Sequence, residues 1–264
     1  MFTYKRAFGA LRHPRRAWQW LFSHDYASPN LTPLPGNLFR FFPQLQRTRS
    51  WNSLVAHSQR FDRRFPEVGV VSWDESTLLY NYARQLQGQD LLEIGCWIGW
   101  STALLGLGGC RLTVIDPVLA GAPPGEACRE SLRQAGLADS VKLIGGYSPG
   151  AVEELTAQGC KWSAGFIDGN HEGVAPLHDT QAFVCSARGD CLILFHDVIL
   201  PNIAEALTWL GREGWNVGVH HTCFFIGVAW RGSARPLRHI PDPKVDWDGI
   251  IQRNLPHLSA FPRL

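Results

Sequence analysis

The seven cysteines of this 264-residue chain include no CxxC pair and no histidine-flanked cluster, which removes a structural zinc site from consideration. An odd number scattered over apolar segments fits reduced, mostly buried thiols and a cytoplasmic location, not a disulfide framework. No apolar run approaches the length of a transmembrane segment. The net charge is only +2, so nothing global argues for a nucleic-acid partner. Charged residues make up 18% of the chain against 45% hydrophobic, an ordinary balance for a globular protein with a sizeable core. Internal repeats and low-complexity tracts are absent. Lys5, Arg6, Arg12, Arg15 and Arg16 precede any acid before Asp25. Pro14 interrupts that stretch and the apolar centre of a signal peptide is missing, so a solvated basic extension is expected. Tryptophan, in contrast, is plentiful at 11. Trp18, Trp20, Trp51 and Trp73 precede the first expected core strand, where they would line a substrate cleft or glue an extension to the core.

The most informative stretch runs from Leu91 to Thr102. An apolar run ends in Glu93, followed by Gly95 and Gly99 and then by Ser101 and Thr102 opening an apolar helix. That pattern reads as strand, tight loop and helix N-terminus, where a backbone can approach a nucleotide-like ligand. The spacing is GxxxG and not the GxGxxG of dinucleotide folds. Glu93 at the strand end would repel a pyrophosphate and favour a cation, so a ligand with an ammonium and a sulfonium, S-adenosylmethionine, suits this field. One helix later, Arg111 to Asp116 reads as a second strand ending in a carboxylate able to accept both hydrogen bonds of a ribose diol. Cys96, inside the glycine loop, suits packing better than nucleophilic catalysis.

Residues 1–70 form a loop-rich, partly helical extension in this reading. Ser72 caps a helix over 73–87, with Glu75 completing a capping box and Gly88 ending it. Strands then alternate with helices. The strands are expected at 90–95, 111–116, 141–144, 165–168 and 191–196. Helices are expected over 101–107, through Cys128, Leu132 and Ala135, from near Pro149, over 173–187, and through Ile203, Leu207 and Leu210. This alternation implies an α/β fold with a parallel sheet covered on both faces. Strands at 216–220 and 223–230 are separated only by His221 and Thr222. So short a link forces a hairpin and makes the last strand antiparallel. The expected fold is therefore Rossmann-like, a mostly parallel seven-stranded sheet with an antiparallel C-terminal hairpin strand, as in methyltransferases and unlike dehydrogenases. Residues 71–230 form the core domain, and 231–264 a Pro-rich tail expected to wrap the surface.

The strand ends carry Glu93, Asp116, Gly146-Tyr147-Ser148, Asp168-Gly169-Asn170-His171 and His196-Asp197. In open α/β sheets ligands bind at such ends. From Leu91 to about Leu210 the chain resembles the catechol O-methyltransferase branch of the class I S-adenosylmethionine-dependent methyltransferases. It is still closer to bacterial tailoring enzymes related to macrocin O-methyltransferase, whose FIDG-(D/N)-H signature corresponds to Phe166-Ile167-Asp168-Gly169-Asn170-His171. The resemblance implies that Glu93, Gly95 and Gly99 shape the methionine end of the pocket and that Ser101 bonds the cofactor carboxylate. It places Trp97 against the cofactor, Asp116 on the ribose hydroxyls, and Tyr147 and Ser148 beside adenine, with Asp168 also in the cofactor pocket.

Metal-dependent relatives hold magnesium through an acid after the fourth strand and an acidic pair after the fifth. The corresponding residues are Asp168, His196 and Asp197, and the histidine softens the expected preference for magnesium. His171 falls where catechol enzymes place their catalytic lysine and suits a general base; His196 is a second candidate. His178, His220 and His221 have no such positional argument. The implied function is O-methylation of a small-molecule hydroxyl, on a secondary-metabolite sugar or a phenol. N-methylation, a metal-dependent hydroxylase of the same fold and a non-catalytic cofactor-binding subunit remain open. The expected partner is a small-molecule acceptor, and the aromatic-rich extension is a candidate surface for a homodimer.

Overall fold

Apolar residues two apart along each central strand share one side of the sheet and adjacent ones lie on opposite sides, and this periodicity organises the molecule. The computed structural model describes residues 23–49, 54–65 and 70–264. Lys5, Arg6, Arg12, Pro14, Arg15, Arg16, Trp18, Trp20 and Trp51, singled out above, lie outside the described residues.

Among the described residues a two-stranded antiparallel sheet, β1 (Leu45–Arg49) and β2 (Ser58–Asp62), follows a short helix α1 (Leu38–Phe41). The main sheet contains β3 (Asp90–Ile94), β4 (Arg111–Ile115), β5 (Val141–Ile144), β6 (Trp162–Ile167), β7 (Ala187–Phe195), β8 (Asn216–His220) and β9 (Ile226–Arg231). Their spatial order is β5-β4-β3-β6-β7-β9-β8. Pairing is parallel up to β7, and β9 is antiparallel to both β7 and β8. The expected seven-stranded sheet with its antiparallel terminal strand is therefore present.

Helices α2 (Trp73–Gln85), α3 (Trp100–Leu107), α4 (Pro123–Gln134), α5 (Gly150–Ala157), α6 (Ala175–Ser186), α7 (Pro201–Arg212) and α8 (Trp247–Asn254) cover the sheet and extend it. Leu91, Leu112, Val114, Phe166 and Leu194 pack in one core cluster with Leu78, Leu79 and Tyr82 of α2 and Leu104 of α3. Leu92, Ile94, Ile115, Ile193 and Phe195 pack in a second cluster with Phe183 of α6 and Leu207 of α7. Strands buried on both faces explain why they read as near-continuous apolar runs.

The chain runs outward from β3 to β4 and β5, then returns to lay β6 against the other edge of β3. That reversal opens a crevice beyond the carboxyl ends of β3 and β6. Register makes the edge level: Ile94 pairs with Ile115 and Ile167, Ile115 with Ile144, and Ile167 with Phe195. The residues that follow, Gly95, Asp116, Gly145, Asp168 and His196, therefore emerge side by side.

Several boundaries differ from expectation. The segment joining β8 to β9 spans 221–225 and includes Phe225 at φ 59°, so the second hairpin strand starts later than residue 223. Strand β7 begins at Ala187, which pairs with Trp162 of β6 before a register shift that carries the exposed residues 188–190 past the ladder. The tail does more than wrap the surface: Trp247, Ile250, Ile251, Leu255 and Leu258 are buried in the second core cluster. Asp242 in this tail receives His24 Nε2 at 2.7 Å and His57 Nε2 at 2.9 Å, and His239 Nε2 lies 2.9 Å from Asp74 of α2. Segments from both sides of the core domain are thus tied together by buried histidine–aspartate contacts.

Candidate functional site

A cavity of about 650 Å³ occupies the crevice at the β3–β6 switch point. Gly95, Trp97, Ser101, Asp116, Tyr147, Ser148, Asp168, His171, His196 and Asp197 all line it. Glu93 and Gly99 do not. Gly95 lets the ends of β3 and β6 meet: its φ is +87°, and a Cβ there would overlap the Asp168 carbonyl oxygen. Gly99, at φ +81°, precedes α3 and lies against Cys128, where a Cβ would come within 2.6 Å of Sγ. It shapes the loop from behind.

Asp116 anchors that loop. Its Oδ2 accepts the backbone N–H groups of Cys96 at 2.7 Å and Trp97 at 3.0 Å, and its Oδ1 accepts that of Val118 at 2.9 Å. The carboxylate thus holds the β3 loop against the end of β4 while facing the cavity. Trp97 adopts a left-handed φ of 49°, and its ring meets Phe65 edge-on at 6.0 Å.

Glu93, expected at the methionine end of the pocket, lies behind the cavity wall and not on it. It is fully buried, and neither oxygen has a hydrogen-bond partner at acceptable geometry. Burial pushes its pKa up to about 8, against a pull from the nearby Ser101 and Thr102 hydroxyls. Near neutrality it is mainly a neutral acid behind the wall, because no cationic group offsets its desolvation.

The strand-end acids and histidines converge. His171 Nε2 is 3.2 Å from Asp168 Oδ1, and its Nδ1 is 3.4 Å from Asp197 Oδ2. His196 Nδ1 lies 3.1 Å from Asp168 Oδ1 and 3.5 Å from Asp197 Oδ2. Asp197 is itself left-handed at φ 56°, one of the few non-glycine residues there, a conformation that clusters at functional sites. Burial alone would raise the Asp168 carboxyl, but His196 and His171 overcome it and hold it down at about 2. Burial opposes protonation of both histidines, yet the adjacent carboxylates raise His171 and carry His196 well above its ordinary value.

Metal fit is decided by this donor set. Asp168, His171 and Asp197 each offer a ligand atom within 4.8 Å of the others, and His196 Nδ1 faces the same two acids. Two carboxylates with an imidazole suit a divalent cation somewhat softer than magnesium, manganese among them.

Other residues of the site escaped the sequence reading. Asp179 of α6 lines the cavity and is buried, which raises its carboxyl. Val70, Val71, Trp100 and Phe224 supply apolar wall. Glu75, read above only as a helix cap, reaches His196 Nε2 at 3.4 Å. Tyr147 stands at the rim, 78% exposed. His178 is exposed, whereas His220 is buried with its Nε2 2.7 Å from Tyr82 Oη, and neither these nor His221 lines the cavity.

Residues 92–198 match the family model described as a methyltransferase domain. No curated protein matches the sequence. Among solved structures, the O-methyltransferase from Bacillus cereus in complex with S-adenosylhomocysteine is similar at 16% identity and TM-score 0.55, covering 61% of this chain and 83% of that one. A proposed O-methyltransferase from Klebsiella pneumoniae gives 18% identity and TM-score 0.60, covering 77% of this chain and 93% of that one. TomG, an O-methyltransferase from Streptomyces achromogenes involved in tomaymycin synthesis and solved with S-adenosylmethionine, gives 20% identity and TM-score 0.53, covering 64% and 84%. Residues 92–198 are therefore similar to the methyltransferase-domain family, and the chain shares its fold with these solved O-methyltransferases.

Proposed function

We propose that this protein is an S-adenosylmethionine-dependent O-methyltransferase acting on a hydroxyl of a small acceptor, a secondary-metabolite sugar or a phenol. The observation that carries the reading is one cavity wall shared by the glycine loop, Asp116 and the Asp168–His171–His196–Asp197 cluster. The cofactor supplies an activated methyl group on a sulfonium. In this reading the 95–101 loop receives its methionine end, with Ser101 bonding the carboxylate and Trp97 packing alongside. Asp116 keeps lone pairs for the ribose hydroxyls beyond its three backbone partners. Tyr147 and Ser148 border the adenine.

His171 takes the proton from the acceptor oxygen as that oxygen attacks the methyl carbon. Asp168 holds the ring through Nε2 at 3.2 Å, so the imidazole is oriented before the acceptor arrives and Nδ1 is left to take the proton, with Asp197 3.4 Å away to offset the imidazolium charge. Asp168, His196 and Asp197 would hold a divalent cation. When bound, such a cation supplies charge stabilisation for the acceptor oxygen. Most of the acceleration comes from alignment of acceptor and donor. Residues 71–230 act as the methyltransferase domain, flanked in sequence by 1–70 and 231–264.

Calorimetry with S-adenosylhomocysteine tests the reading, together with the mass of the product. Micromolar-range binding is expected, weakened in Asp116→Ala by on the order of 2–3 kcal/mol for the lost charge-assisted bonds. Asp116→Asn, which retains one carbonyl acceptor for the loop, separates ribose binding from loop anchoring. The product should gain one methyl group. Absence of binding, preferential binding of NAD, or a gain of one oxygen overturns the assignment.

A further inference from the structure

Glu75 does more than cap a helix. Its capping role is plain: Ser72 N–H donates to Glu75 Oε2 at 2.9 Å, and Glu75 N–H donates to Ser72 Oγ at 3.4 Å. A cap of this kind stabilises far less than the burial of a carboxylate costs. Yet the Glu75 side chain is 0% exposed and collects contacts from two distant segments. Its Oε1 accepts the Thr222 hydroxyl at 2.9 Å and the Phe224 N–H at 2.7 Å, while Oε2 faces His196 Nε2 at 3.4 Å.

The consequence falls on the other nitrogen of His196. The Glu75 carboxylate at Nε2 gives one ring proton a fixed acceptor, so a cation arriving among Nδ1, Asp168 Oδ1 and Asp197 Oδ2 can displace the proton at Nδ1 and leave the Nε2–H form. Nδ1 and the two carboxylate oxygens then form a three-atom donor set for that cation. Histidine ligands of metals commonly donate their second nitrogen to a carboxylate in this manner, and that outer partner sets ring orientation and ligand basicity. We propose that Glu75 is a positioning residue that holds His196 in the Nε2–H form, so that Nδ1 joins Asp168 and Asp197 as a donor to a divalent cation. The proposal rests on the reading of this cluster as the metal-assisted part of the methyltransferase site. The same carboxylate fixes Phe224 in the cavity wall, so it couples the metal donors to the apolar wall.

Titration of the full-length protein with Mn²⁺ at fixed pH tests it. Wild type should bind one ion per chain, Asp168→Asn should abolish that binding, and Glu75→Gln should weaken it about 10- to 100-fold. Ser72→Ala, which removes the cap but keeps the His196 contact, should leave Mn²⁺ affinity unchanged. Equal Mn²⁺ affinity in wild type and Glu75→Gln overturns the proposal, as does wild-type binding no tighter than in Asp168→Asn. S-adenosylhomocysteine binding is measured in parallel on wild type. Its absence defeats the methyltransferase reading, whereas normal cofactor binding with unchanged Mn²⁺ affinity in Glu75→Gln defeats the Glu75 assignment alone. Should Glu75→Gln not fold, long-range ¹H–¹⁵N spectra of wild type with saturating Mg²⁺ decide. The His196 signals, identified by their loss in His196→Gln, should report Nε2–H, and an Nδ1–H form refutes the proposal.

Discussion

Glu93→Gln should stabilise the protein progressively as pH rises. The folded-state pKa of Glu93 is raised to about 8 by burial, from an ordinary value of 4.5. Below pH 4.5 both folded and unfolded chains keep the proton, and no penalty arises. Between 4.5 and 8 the unfolded chain releases it while the folded chain retains it, so folding stability falls with increasing pH and levels off above 8. Linkage over pH 5 to 8 amounts to a loss of about 3–4 kcal/mol, a large share of the stability of an ordinary domain. Glutamine has nearly the same shape and no charge, so the difference between variant and wild type should grow by that amount across the range. Urea unfolding followed by tryptophan fluorescence at pH 5, 6, 7 and 8 measures it, and the difference between proteins cancels the titration of every other group. A difference that stays constant with pH would show that Glu93 is ionised in the folded state, refuting the argument. Because Glu93 does not line the cavity, S-adenosylhomocysteine affinity at pH 7 should change by less than about threefold.

His171→Ala should lower kcat by about a hundred- to ten-thousandfold with cofactor affinity intact, and near-normal turnover in His171→Asn would remove it as the base. Burial opposes the rise, but Asp168 lifts the His171 pKa above 6.5, so wild-type kcat should climb as pH increases beyond that value, a limb His171→Ala should lack. Gly95→Ala should cost about 2–3 kcal/mol, combining a left-handed backbone with an overlap on Asp168, whereas Gly36→Ala, with open space around it, should be near neutral in thermal melts. Asp242→Asn should lower stability by about 2–4 kcal/mol in denaturant unfolding, because the buried carboxylate is the shared acceptor of His24 and His57; an unchanged midpoint would contradict that role.

Local patterns foretold much of this architecture because they carry their own physics. The capping box at Ser72 and Glu75 is present as read, since its two hydrogen bonds need only residues three apart. Apolar runs ending in Asp116, Asp168 and His196 marked strands whose ends had to meet at one sheet edge. What sequence could not reveal depends on depth and distance. Glu93 was read as a charge facing a ligand, but whether a strand residue points into a cavity or behind its wall is a matter of register. Glu75 contacts Phe224 across 149 positions, a pairing with no periodic signature. The flanking segments read as loops because their buried residues answer to each other and not to a local period.

The histidine–aspartate clasps also bear on how the protein is made. His24 and His57 leave the ribosome long before their acceptor, which lies 218 and 185 residues downstream. Asp74 similarly waits 165 residues for His239. During synthesis the central sheet can begin to pair, but α2 must carry a buried acid without its partner until the tail emerges. Contacts of such long range make folding slow and leave apolar surface open in the nascent chain. Expression yield should therefore depend on chaperone supply and on translation speed through residues 231–264, and far less on substitutions at the cavity rim.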